Sequence, residues 1–139
     1  MASYHFHLTQ VKRSRGQSVI AQAAYRSGEK LYSTYYGESS DFTRKRGVVM
    51  AEICLPDHAP REYANRETLW NALEWAEHGR KAQLAHSFDI TLMNEFSMEE
   101  NIEMARAFVR EELVSRGMIA DFAIHDPVRP KGAEPNPHI

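Results

Sequence analysis

Tyr25, His125 and His138 are the residues of this chain whose types and places could do chemistry together. Tyr25 lies in an alanine-rich stretch, three residues short of Gly28, and a phenol becomes a nucleophile once a nearby base or a metal's field helps it lose its proton. His125 closes an apolar segment, and His138 stands in the final Asn136-Pro137-His138-Ile139. Two histidines at opposite ends of a short loop, each on a strand edge, can meet at one metal ion. Taken singly, neither signal is specific: most histidines at strand ends are surface residues, and most helix tyrosines simply pack. Cations crowd the same part of the sequence. Residues 1–50 hold Lys12, Arg13, Arg15, Arg26, Lys30, Arg44, Lys45 and Arg46 against only Glu29, Glu38 and Asp41, a net of +5 in a chain whose total is −2. A basic third on an acidic body can neutralise phosphates locally.

The rest of the sequence must position these groups. With 139 residues, 42 % hydrophobic and 26 % charged, the chain is long enough for one cored domain and is not of disordered composition. No stretch approaches the roughly 18 apolar residues of a membrane span. The start, MASYHFHLTQ, lacks the pattern of a signal peptide. The lone Cys54, inside an apolar run, reads as a buried thiol, and a reducing cytoplasm fits.

Residues 3–11 alternate Tyr4, Phe6 and Leu8 with His5, His7 and Thr9, the period of a strand. Ser14 or Ser18 can cap a helix over VIAQAAYRSGEKL. The polar, aromatic and basic stretch 32–46 reads as loop, 47–55 as a strand and 61–82 as a long helix with Trp70, Leu73 and Ala76 on one face. Alternation returns over 84–93. Ser97 and Glu100 match a capping box for a helix reaching about Arg116, stopped by Gly117, and 118–125 forms a fourth strand. His138-Ile139 begins a fifth strand. Period-two strands favour a half-exposed sheet. The expected class is α+β, with about five strands and helices mainly on one face.

GQSVIAQAAYRSGEKL (16–31) closely resembles the first motif of the MobA/MobL family of relaxases. GVVMAEICLPDHAP, RETLWNALEWAE with the following Ala82-Gln83-Leu84, and GMIADFAIHDP are similar to that family's successive blocks, so the likeness runs over essentially the whole chain. The resemblance implies a HUH endonuclease fold, an antiparallel sheet flanked by helices, as a single domain over 1–139 whose last strand is cut short. It implies Tyr25 as the residue that attacks DNA, and a divalent ion, Mg²⁺ or Mn²⁺, held by His125, His138 and a third histidine one position past Ile139. Several members carry a glutamate where this chain has Ser87; Asp89, two residues on and on the same strand face, is the candidate replacement carboxylate. The implied partners are single-stranded DNA at a plasmid transfer origin and other mobilisation proteins.

The candidate DNA-binding set is Lys12, Arg13, Arg15, Arg26, Arg44, Lys45 and Arg46, with Tyr32, Tyr35 and Tyr36 available for base stacking. His5 and His7 are read as flanking the site, and His58 and His78 as exposed. Two other readings stay open: a rolling-circle replication initiator, which shares the chemistry but more often places its tyrosine after the histidines, and a non-catalytic single-strand-binding module.

Overall fold

The computed structural model describes residues 6–77, 79–127 and 139. His5, His78 and His138 therefore lie outside the described residues. Six strands and three helices follow in the order β1 (Phe6–Lys12), α1 (Val19–Ser27), β2 (Lys30–Ser33), β3 (Glu38–Asp41), β4 (Val48–Cys54), α2 (Arg66–Ala76), β5 (Gln83–Ile90), α3 (Met98–Phe108) and β6 (Ala120–His125). Among the described residues the strands pair antiparallel, in three ladders: β1 with β5, β2 with β3, and β4 with β6. The α+β expectation holds. The single sheet of about five strands does not appear among the described residues.

Local chemistry explains most of the element ends. Ser18, rather than Ser14, caps α1 by accepting from the Ala21 N–H at 3.2 Å, and Gly28 closes that helix at φ +71°. The capping box at Ser97 and Glu100 is formed in both directions, and Gly117, at φ +89°, ends the segment that follows α3. That segment widens into a π turn over Val109–Leu113 and tightens over Val114–Arg116 before the glycine.

Two sequence readings are corrected. Residues 32–46 are not wholly loop: β2 and β3 pair there, with Tyr32 opposite Ser39. Their polar character misled because β3 (ESSD) buries none of its side chains. The long helix over 61–82 is instead a 3-10 turn at Arg61–Ala64 and then α2, which starts on its own cap, Asn65, and stops at Ala76. On α2 the inward residues are Leu69, Trp70, Leu73 and Glu74, while Ala76 is exposed.

Two apolar clusters hold the layers together. One joins Val19, Ile20, Ala23 and Ala24 of α1 to Val11, Leu31 and Leu84, with Trp70 and Leu73 of α2 packed against it. The other joins Ala105 and Val109 to Ala120, Phe122 and Ile124 of β6. Because strand side chains alternate, the β6 residues between these face the opposite way. Asp121 meets Arg66 and Trp70 of α2, and His125 meets α1. Helices therefore cover both faces of the β4–β6 ladder, contrary to the one-faced expectation. Fully burying an aliphatic side chain contributes about 1.5–3 kcal/mol, against about 1 kcal/mol for a helix cap. Ile20 and Ile124, both wholly buried, thus outweigh the caps in fixing how α1 and β6 sit.

In the β1–β5 ladder His7 stands opposite Asp89 and Thr9 opposite Ser87, on the face toward α1. Phe6 and Leu8 occupy the other face, 47 % and 50 % exposed. On its other edge β5 pairs with the chain's last residue: Ile90 and Ile139 exchange both backbone hydrogen bonds, at 3.0 and 2.9 Å. A mutual pair of this kind is the antiparallel pattern.

Candidate active site

Tyr25 lies one residue beyond the buried Ala23–Ala24 step of α1, so the helix turn carries it out of the core. It is 53 % exposed. Two residues of the segment after β3 grip its ring. Phe42 meets it edge-on, with centroids 5.3 Å apart and planes at 88°. Lys45 Nζ sits 3.4 Å from the ring centroid and donates to the Tyr25 carbonyl oxygen at 2.8 Å. Burial, and then the nearby Arg26 cation, lower the Lys45 pKa. Among the described residues no hydrogen bond is made by the Tyr25 hydroxyl.

Arg26, the next residue, joins three elements. Its Nη1 donates to Gln22 Oε1 at 3.0 Å, and its Nη2 to Oγ of the buried Ser87 on β5. Its carbonyl oxygen lies 2.7 Å from Nε2 of His125 at the end of β6. A carbonyl only accepts, so Nε2 carries the proton, and in a neutral ring Nδ1 then carries the lone pair. A metal-ligating histidine commonly has this arrangement, with its second nitrogen donating to a backbone carbonyl. His125 therefore fits a ligand role. Among the described residues no three His, Cys, Asp or Glu side chains gather around one point, and His138, the second expected ligand, is outside them.

Asp89 is exposed and stands across the ladder from His7. Ser87 is occupied with Arg26. A cavity of about 530 Å³ lies between β5 and β6 and reaches Arg26, Asp89, His125 and Ile139. Residues 84–90 of β5 line it consecutively, as do 118–123 of the β6 region. Consecutive rather than alternate lining means that the cavity meets strand edges, where backbone polar groups lie, and not one sheet face.

The predicted DNA-binding cations divide. Arg15, Arg44 and Arg46 are exposed, and Lys12 is half-buried at the end of β1. Arg26 and Lys45 are engaged with the Tyr25 turn. Arg13 is placed differently from expectation: its Nη2 pairs with Glu74 Oε2 at 3.0 Å, with side-chain exposures of 9 % and 0 %, and it also donates to the carbonyls of Glu74 and Glu77. Glu74 also accepts from the Val19 N–H at the start of α1. Arg13 is thus a strut between β1 and α2. A buried charge requires such a partner, and Glu74 falls four residues after Trp70 on the helix's apolar stripe, which is the signal the sequence held. The tyrosines also divide. Tyr35 meets Tyr36 and Trp75 edge-on and lies under Arg13, away from the Arg44–Arg46 segment in its contacts. Cys54 is half-buried rather than buried, and burial pushes its thiol up, which disfavours the reactive thiolate. His58 is exposed, as read.

The model of the MobA/MobL family matches residues 17–139, which includes Tyr25, Arg26, Ser87 and His125. The chain belongs to the MobA/MobL family. It is 34 % identical, over its whole length, to a probable mobilization protein MobA of Bifidobacterium longum, and 35 % identical to a conjugal transfer protein TraA of Agrobacterium fabrum. It spans only 24 % and 13 % of those relatives. Among solved structures, one titled for the molecular basis of vancomycin resistance transfer in Staphylococcus aureus superposes with a TM-score of 0.87 at 34 % identity, covering 99 % of this chain and 68 % of that one. Among the described residues of this MobA/MobL chain, no helix is long and apolar enough to cross a membrane.

Proposed function

We propose that this chain carries the nicking centre of a relaxase: it cuts one DNA strand at a plasmid transfer origin, keeps the end covalently, and so starts mobilisation. The observation that carries the reading is the junction at Arg26, where the turn bearing the exposed Tyr25 is hydrogen-bonded to His125. Membership of a family whose members are named for mobilisation and conjugal transfer supports it.

In this reading the Tyr25 oxygen attacks the scissile phosphorus. A phosphotyrosine bond forms, the bond to the 3′ oxygen breaks, and the phenol's proton ends on that oxygen as a free 3′-hydroxyl. The ester is exchanged rather than hydrolysed, so the later joining step requires no ATP. A divalent ion, Mg²⁺ or Mn²⁺, held by His125 and His138, would withdraw charge from the phosphate when bound. Arg26 orients His125 through its carbonyl and fixes the turn to β5 through Ser87. Arg15, Arg44 and Arg46 would track the strand's phosphates. Asp89, on the cavity wall and two residues from Ser87 on the same strand face, would supply the carboxylate.

The test is covalent capture. The chain and Tyr25→Phe are incubated with Mn²⁺ and a panel of single-stranded oligonucleotides carrying transfer-origin nick regions of the relatives' plasmids, then run on a denaturing gel. A DNA–protein adduct that requires Tyr25 is expected. An adduct that survives Tyr25→Phe would reject the tyrosine; binding without any adduct would favour a single-strand-binding module.

A further inference from the structure

Lys45 lies among the basic residues that would hold DNA, yet its contacts point inward. Its neighbours Arg44 and Arg46 are exposed, while its ammonium is partly buried and committed to Tyr25 twice: to the ring face at 3.4 Å and to the main-chain oxygen at 2.8 Å. The turn that delivers it is itself fixed. Asp41 Oδ1 accepts from the Thr43 N–H and hydroxyl at 3.0 and 2.6 Å, and the Lys45 N–H donates to the Phe42 carbonyl at 3.0 Å. Phe42 is anchored from the other side, since its N–H reaches the Glu29 carbonyl at 3.1 Å and its ring packs on the α1 core.

An exposed tyrosine on a helix ordinarily samples several rotamers. Here the edge of Phe42 and the face contact of Lys45 remove that freedom. A cation over an aromatic face is attracted by the ring quadrupole, more strongly when desolvated. The same ammonium occupies a carbonyl of the last turn of α1, where orphan carbonyls and the helix dipole both favour positive charge.

We propose that Lys45 is a positioning residue for Tyr25, holding the phenol ring in one orientation with Phe42 as the opposing jaw, and is not a contact to the DNA backbone. This rests on reading Tyr25 as the nucleophile. A nucleophile held in one orientation loses less freedom on reaching the reacting geometry.

The test uses the whole chain labelled with 3-fluorotyrosine, the Tyr25 resonance being assigned by its loss in Tyr25→Phe. Lys45→Met is expected to shift and broaden that ¹⁹F signal, and Lys45→Arg to restore it in part, because a guanidinium can make both contacts. In single-turnover adduct formation with the same oligonucleotide panel, Lys45→Met should slow the covalent step on the order of 10- to 100-fold. Oligonucleotide affinity and its salt dependence should stay as in the parent chain. An unchanged ¹⁹F signal, or a loss of affinity with an unchanged covalent rate, would overturn the proposal. Should Lys45→Met unfold, Lys45→Arg and Phe42→Leu carry the same comparison. Absence of any Tyr25-dependent adduct would reject the nucleophile reading, while the ¹⁹F signal would still decide whether Lys45 orients the ring.

Discussion

The Arg26 carbonyl oxygen and His125 Nε2 are 2.7 Å apart, which ties the helix turn carrying Tyr25 to the end of β6 by one hydrogen bond. Arg26 Nη2 ties the same turn to Ser87 on β5. Two strands that are not paired with each other among the described residues are thus both referenced to Arg26, the residue after Tyr25.

Replacing His125 separates ligand from anchor. His125→Asn is expected to leave the fold intact by circular dichroism and to lower Mn²⁺ affinity and adduct yield about 10- to 100-fold. Electron paramagnetic resonance of free Mn²⁺ measures the first directly. Parent-like Mn²⁺ uptake by His125→Asn would remove His125 from the ligand set.

Arg44→Ala and Arg46→Ala should each weaken single-strand binding and reduce the slope of log affinity against log salt by about 0.7, the counterion release for one phosphate on a single strand. Fluorescence anisotropy at several salt concentrations gives the slope. A slope unchanged in both variants would put the strand elsewhere.

Glu74→Ala should be the most damaging of the polar substitutions. It leaves the Arg13 guanidinium enclosed without its carboxylate, a change that typically costs about 3–5 kcal/mol. Urea unfolding measures it. Replacing both partners together, Arg13→Met with Glu74→Leu, should recover most of the loss. A Glu74→Ala chain as stable as its parent would show that the pair contributes nothing.

Acid sensitivity should trace in part to Glu52. Hydrogen bonds from Arg106, one of them 3.0 Å from Nε to Oε1, hold its carboxyl below the usual range, with burial opposing and the Arg106 and Arg110 charges adding. A carboxyl depressed in the folded state contributes stability that is present above its unfolded pKa and lost as pH falls through its folded pKa. The urea midpoint should therefore fall with decreasing pH beginning near the ordinary glutamate range, and Glu52→Gln should flatten that fall. An identical slope in Glu52→Gln would assign the acid limb to other groups.

Much of the frame was legible in the sequence because its signals are local. Ser97 and Glu100, Gly28 and Gly117, and the alternation of β1 and β5 each depend on a few neighbouring residues, and the family blocks added their order. What escaped was set at long range. The β2–β3 hairpin draws its pairing from the backbone, not from an apolar pattern. Arg13 reads as one more surface cation until Glu74, 61 residues away, is known to face it. Lys45 and Tyr25 are 20 residues apart with nothing between them to announce a contact. His125 stood out by its place at a strand end and by the resemblance, whereas its hydrogen bond to the Arg26 carbonyl required coordinates.

The reciprocal bonds between Ile90 and Ile139 act as a phase lock. Strand side chains have a period of two, so one fixed pair decides the parity of everything in line with it. With Ile139 opposite Ile90, its side chain shares the face of Ile90, while a slip of one residue would put it opposite Asp89, on the face toward α1. Two main-chain bonds between aliphatic residues therefore decide which face of β5 the Ile139 side chain joins.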